Sequence, residues 1–121
     1  MIDSTLLESL EAVRADLCKE YDRDVQLIIT SGLRTESENE ALAARHGWVD
    51  EGGLVARDSM HLEKHGGIAV DIFARLPCSS SYGIVPQAFL EKICRKHFVY
   101  VKADYVDGHV HCDNRGRQNR R

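Results

Sequence analysis

The sequence predicts an α+β domain, a small antiparallel sheet with flanking helices. Three observations lead there. Apolar residues recur at helical spacing near the start of the chain and again around Leu90. Four short apolar runs, rich in β-branched residues, lie between and after these stretches. The last two runs are separated by a turn containing Asp104 and Asp107, so a hairpin is the simplest connection. Helices and antiparallel strands in this order belong to the α+β class.

Asp3 or Ser4 caps the first helix, where Leu6, Leu7, Leu10, Val13 and Leu17 repeat at helical spacing through about Tyr21. Val25 to Thr30 is a strand, ended by Ser31-Gly32. Thr35 caps a second helix from Glu36 to about His46, with Leu42 facing inward and Gly47 as the stop. Trp48 to Asp58 is a loop marked by Gly52-Gly53, and Ser59 to Gly67 is irregular, with Gly66-Gly67 as a break. Ile68 to Phe73 is a second strand, apolar on both sides of Asp71 and therefore central. Pro77 to Gly83 is a loop. Pro86 suits the first turn of a third helix through His97, with Phe89, Leu90 and Ile93 inward. Phe98 to Lys102 and Gly108 to Cys112 are the last two strands.

The chain has 121 residues, which makes one domain over 1–121, large enough for a core without staples. A hydrophobic fraction of 43% with 29% charged residues excludes a disordered, collagen-like or disulfide-scaffold protein. The net charge of −3 excludes nucleic-acid binding by bulk electrostatics. Arg115, Arg117, Arg120 and Arg121 form a basic tail at about 114–121. Such a tail is either a solvated end or a device that steers the protein to an anionic polymer or surface. No apolar run approaches the roughly 20 residues of a membrane span, so no stable membrane insertion is expected. The start lacks the basic and apolar blocks of a signal peptide, so synthesis in the cytoplasm without an export signal is expected. Cys18, Cys78, Cys94 and Cys112 form no CxxC pair and are expected as free, mostly buried thiols.

Chemistry concentrates around three positions. His109 and His111 are two apart in a strand, so both imidazoles point to one face. Asp71 lies within an apolar strand, where a carboxylate requires a cation, a metal or several donors. His61 precedes it by ten residues, in a loop able to fold back onto the strand end. An HxH pair alone, or one core aspartate alone, is ordinary structural usage. Two imidazoles and a carboxylate together are a standard set for catalytic zinc, with the fourth position left to water.

Four motifs occur in order: Ser31-Gly32-Leu33-Arg34, Ser59-Met60-His61, Gly67-Ile68-Ala69-Val70-Asp71 and His109-Val110-His111. The set resembles the zinc peptidases of the D-Ala-D-Ala carboxypeptidase group, peptidase family M15, whose pattern is SGxR, SxHxxGxAxD and a terminal HxH or xxH. That family shares its fold with lysostaphin-type enzymes and the hedgehog signalling domain. The resemblance spans Ser31 to Asp113, about two-thirds of the chain; each motif is weak alone and the ordered set is fairly strong. It implies a hedgehog/DD-peptidase-like fold, Zn2+ held by His61, Asp71 and His111, and Arg34 facing the substrate. His109 would donate to the tetrahedral oxyanion, as in similar enzymes, or make a supporting hydrogen bond.

Two departures matter. Five residues, Leu62 to Gly66, separate His61 from Gly67 where the family has two, so His65 is a rival ligand; His61 is preferred because Ser59 and His61 keep the SxH pattern. The family places its general base shortly before the last ligand. Here Asp107 is four residues before His111 and Asp104 is seven before it, and Asp107 is preferred as the catalytic base. Arg34 would grip a carboxylate or carbonyl with two parallel bonds; the alternative is a surface salt bridge with Glu36 or Glu38. Ser59 would brace the loop that presents His61. Trp48 is expected as a core lid rather than a substrate platform. Cys112 should point away from His111, as a core thiol.

The expected activity is zinc-dependent hydrolysis of peptidoglycan stem peptide, at an L-alanyl-D-glutamate or a D-alanyl-D-alanine bond. The resemblance further implies a monomeric bacteriophage lysis enzyme that acts on the wall once the membrane is breached, its basic tail touching an anionic envelope. Two other readings stay open: a zinc-binding interaction module that has lost catalysis, and a virion-associated or DNA-contacting protein using the tail.

Overall fold

The structure is a computed structural model that describes residues 3–77 and 83–116. Cys78, most of the Pro77 to Gly83 loop and the tail arginines Arg117, Arg120 and Arg121 lie outside the described residues.

The described residues form an α+β fold with three α-helices and a four-stranded antiparallel sheet. Helix α1 (Ser4–Tyr21) starts where the Asp3 carboxylate accepts a hydrogen bond from the Thr5 amide. Its Leu6, Leu10, Val13 and Leu17 are buried, the stripe expected from their spacing. Strand β1 (Gln26–Ser31) is followed by α2 (Glu36–His46), which opens with a full capping box. There Thr35 accepts from the Glu38 amide, and Glu38 accepts from the Thr35 amide. Strand β2 (Ala69–Arg75), helix α3 (Gln87–Cys94) and strands β3 (Tyr100–Lys102) and β4 (Val110–Asp113) complete the fold. Short 3-10 turns at Val49–Glu51 and Glu63–His65 interrupt the two expected loops.

The strand order is β1-β2-β4-β3, which places β2 and β4 inside the sheet. Side chains alternate across it. Val70, Ile72 and Ala74 of β2, Val101 of β3, and Val110 and Cys112 of β4 enter one core with the apolar stripes of α1 and α3. Asp71, His111 and Asp113 therefore point to the opposite face, where the site is built.

Several boundaries differ from expectation, each for a local reason. Pro86 caps α3 from outside, and the helix ends at Cys94 because residues 95–97 close in tight turns. The Phe98 amide is engaged by the Cys94 carbonyl, and the Val99 amide bonds the Asn114 side chain, so β3 starts at Tyr100. His109 lies just before β4, because its amide bonds the Asp107 carboxylate and Gly108 has φ +91°. Leu42 is not a core residue: Asn39 and Ala43 are the buried positions of α2, and Leu42 lines the cavity described below. Trp48 is half-buried outside the main core, with the Arg57 guanidinium 4.6 Å over its ring.

The expected basic tail begins inside the folded body. Asn114 is fully buried, bonding Thr5 and Ser9 of α1 and the Ile68 carbonyl. Cys94 and Cys112 are buried free thiols, and Cys18 is half-buried. Among the described residues no helix is long and apolar enough to cross a membrane.

Candidate metal centre

Asp71 and His111 are partners across the β2–β4 ladder, so the two innermost strands present them side by side. His61 comes from the loop after α2. That loop is tied to the end of β1 by the Arg34 amide, which donates to the His61 carbonyl at 2.7 Å. Ser59 braces the turn, its hydroxyl accepting from the His61 amide at 3.2 Å. His61 Nε2 then lies 3.0 Å from Asp71 Oδ1, and His111 Nδ1 lies 3.1 Å from the same oxygen. The two ring nitrogens are 3.2 Å apart. His61 is 5% exposed and His111 8%.

The outer nitrogen of each ring fixes its tautomer. His61 Nδ1 is 2.9 Å from the Gly32 carbonyl, which only accepts, so this nitrogen carries the hydrogen. His111 Nε2 is 2.7 Å from the Asp113 carboxylate, and the same reasoning applies. In their neutral forms both rings therefore aim a bare lone pair at the Asp71 carboxylate. Three acceptors meet with no hydrogen among them, and only a cation, a metal ion or a proton, relieves that.

The spacing suits a metal. Ligand atoms about 2.0–2.1 Å from one ion at tetrahedral angles lie roughly 3.3 Å from each other. His61, Asp71 and His111 are the one group among the described residues whose ligand atoms converge in this way. Protonation follows the same electrostatics. Burial acts to raise the Asp71 carboxyl, but the adjacent His111 and His61 rings outweigh it and hold Asp71 well below the usual carboxylate range. Burial disfavours charge on His111, yet Asp113 and Asp71 outweigh it and raise its pKa.

The rival ligand His65 is elsewhere, bonded through Nε2 to Asp58 at 2.7 Å. Asp104 and Asp107 are not among the residues that line the cavity beside the triad. Asp107 instead holds His109: its Oδ1 is 2.6 Å from His109 Nδ1, and His109 Nε2 faces Asp71 Oδ2 at 3.7 Å. Tyr105 stacks on the His109 ring with centroids 3.9 Å apart, and Phe73 meets it edge-on. Burial, then nearby carboxylates, push the Tyr105 phenol up to about 12, so it remains a donor. Asp104 sits 3.9 Å from Lys102 Nζ at the surface.

The cavity has a volume of about 420 Å³. His61, Asp71, His109 and His111 line it, together with Arg34, Lys102 and Tyr105. Arg34 is held by neutral acceptors alone: Asn39 at 3.0 Å, and Ser59 and Ser31 at 3.3 Å each. No carboxylate among the described residues lies within ion-pair distance of it, so the salt bridge with Glu36 or Glu38 does not form. Leu42, Leu54 and Val55 supply an apolar wall.

Asp113 belongs to the site although no sequence motif marks it. It is fully buried and bonds His111, while Arg115 bonds it in turn. The signal that could find it is the period of two: residues 111 and 113 share a face of one strand.

Comparison with family models, with curated proteins and with solved structures returns no match.

Proposed function

We propose that this chain is a zinc-dependent peptidase of hedgehog/DD-peptidase-like fold that hydrolyses peptide bonds of bacterial cell-wall peptidoglycan, as a phage lysis enzyme does. The observation that carries the reading is the convergence of three lone pairs, from His61, Asp71 and His111, in the lining of an open cavity. Two imidazoles and one carboxylate are the ligand set of catalytic rather than structural zinc. When bound, zinc supplies Lewis acidity, which acidifies water and polarises a carbonyl.

The chain's own groups supply the rest. His109, tied at Nδ1 to Asp107, holds or releases a proton at Nε2. Hydrolysis adds water across the peptide C–N bond, and one proton must pass from the water to the departing nitrogen. His109 Nε2, 3.7 Å from Asp71 Oδ2, would carry it, and the base role expected of Asp107 would be exercised through His109. Arg34, fixed by three neutral acceptors, keeps its charge for a substrate carboxylate or carbonyl. The L-alanyl-D-glutamate and D-alanyl-D-alanine bonds both place a carboxylate near the scissile bond, and either suits this cation.

The test is digestion of purified peptidoglycan with zinc-loaded protein, followed by mass spectrometry of the released peptides. Wild type should release stem-peptide fragments, and the fragment masses name the bond. A wild type that holds one zinc and releases nothing overturns the peptidase reading in favour of a zinc-binding interaction module. That second reading draws on the position of Asp104 and Asp107 away from the cavity lining.

A further inference from the structure

Behind His111 lies a second layer of charge. His111 Nε2 donates to Asp113 Oδ2 at 2.7 Å. That same oxygen accepts from Arg115 Nη2 at 2.6 Å, and Asp113 Oδ1 accepts from Arg115 Nε at 2.8 Å and from its amide at 3.1 Å. The Arg115 guanidinium is stacked 3.8 Å over Tyr100, and Tyr100 meets the His111 ring edge-on at 5.9 Å. Four side chains thus close a ring: His111, Asp113, Arg115 and Tyr100.

Each contact restricts the next. The Asp113 side chain is fully buried, so its charge cannot be shared with water. The Arg115 fork clamps both carboxylate oxygens and fixes their plane. The fixed carboxylate in turn fixes which nitrogen of His111 bears the hydrogen, and so which nitrogen faces Asp71 and His61.

We infer that Asp113 and Arg115 are positioning residues of the metal centre, acting through His111: Asp113 commits His111 to ligation through Nδ1, and Arg115 locks Asp113 in the orientation that does so. Carboxylates behind a ligating histidine raise its basicity and fix its ring, and their loss typically costs about 10–100-fold in metal affinity. One arginine of the basic stretch is accordingly part of the site and not of a solvated end.

The inference rests on the metal reading of the triad, and not on the peptidase reading. Two measurements on the full chain test it. Zinc affinity is read by competition with a chromophoric chelator. Asp113→Asn should keep a stoichiometry of one zinc while its affinity falls about 10-fold or more. Arg115→Ala should lower affinity by a smaller factor, and Arg95→Ala, an exposed charge on the end of α3, should leave it unchanged. Affinity equal to wild type in both Asp113→Asn and Arg115→Ala overturns the inference. The second measurement needs no variant. Long-range proton–nitrogen NMR of the zinc-loaded wild type should find His111 protonated at Nε2, and protonation at Nδ1 overturns the inference. A wild type that takes up no zinc overturns the metal reading itself, a result distinct from either of these.

Discussion

Asp107 Oδ1 lies 2.6 Å from His109 Nδ1 and 3.1 Å from the His109 amide. One carboxylate holds both the ring and the main chain of the histidine that faces Asp71. The His109 amide, with the ring bond beside it and burial opposing, keeps the Asp107 carboxyl below its ordinary range, so it stays an acceptor at neutral pH. In the proposed hydrolysis the proton-carrying atom is His109 Nε2. His109→Ala should lower turnover on wall peptide by about 10²–10⁴, the range for a positioned acid–base group. Asp107→Ala should lose less, and keep its zinc and its melting temperature. Asp104→Ala is the matched control. Full activity in His109→Ala, measured by fragment release, would assign the proton to another group.

Metal content separates the two loop histidines. His61→Ala should lose its zinc, because it removes one of the three converging donors. His65→Ala should keep one zinc per chain, losing a partly exposed bond to Asp58. Elemental analysis after dialysis reads both. An empty site in His65→Ala alone would reverse the assignment.

Arg34→Lys should keep zinc and fold but lower kcat/KM on wall peptide. Lysine retains the charge and loses the planar fork that Ser31, Asn39 and Ser59 hold in place. Steady-state kinetics on a defined stem peptide reads this, and unchanged kinetics in both Arg34→Lys and Arg34→Ala would remove Arg34 from the site.

Asp113 makes stability sensitive to acid. Burial acts to raise its carboxyl, but Arg115 and His111 outweigh this and hold it at about 2, against an ordinary 3.8. The folded value is below the unfolded one, so the stabilisation is complete above the unfolded value and fades as pH falls towards the folded one. It amounts to about 2 kcal/mol at neutral pH. Urea unfolding of metal-free wild type and Asp113→Asn should show a gap that narrows as pH falls below about 4. A gap unchanged at pH 2.5 would trace the loss to packing.

Gly53→Ala should loosen the wall of the cavity. A Cβ at Gly53 would fall 2.3 Å from the Gly47 carbonyl carbon, too close for any side chain. The cost should be on the order of 1–3 kcal/mol, as for other forced overpacking. Thermal melting reads it, and an unchanged melting temperature would show that the loop yields freely.

Much of the scaffold is legible residue by residue. The leucine spacing of α1 and the Thr35/Glu38 pair are local signals, and the helices start where those signals lie. Asp71 on an inner strand is legible because a carboxylate flanked by apolar residues on both sides is costly to bury unless a cation or donors meet it. The choice of His61 over His65 is not settled locally. It depends on the Arg34 amide reaching the His61 carbonyl, a contact between loops 27 residues apart. The Asp107–His109 bond depends on the positive φ of Gly108, which sequence spacing does not reveal. Asp113 is marked in the sequence by its period-two spacing from His111 alone, and a carboxylate after a buried cysteine reads as a strand end until the His111 ring orientation is known.

Strand β4 is the last strand among the described residues, yet it lies between β2 and β3. A nascent chain that has emerged only as far as β3 can zip β1 to β2 and hold Asp71 and His61 in reach of each other. It has nothing for β3 to pair with and no third donor. When β4 slots into the gap it supplies His111 and bridges the two halves of the sheet at once. The strand that completes the sheet is therefore also the strand that completes the donor set.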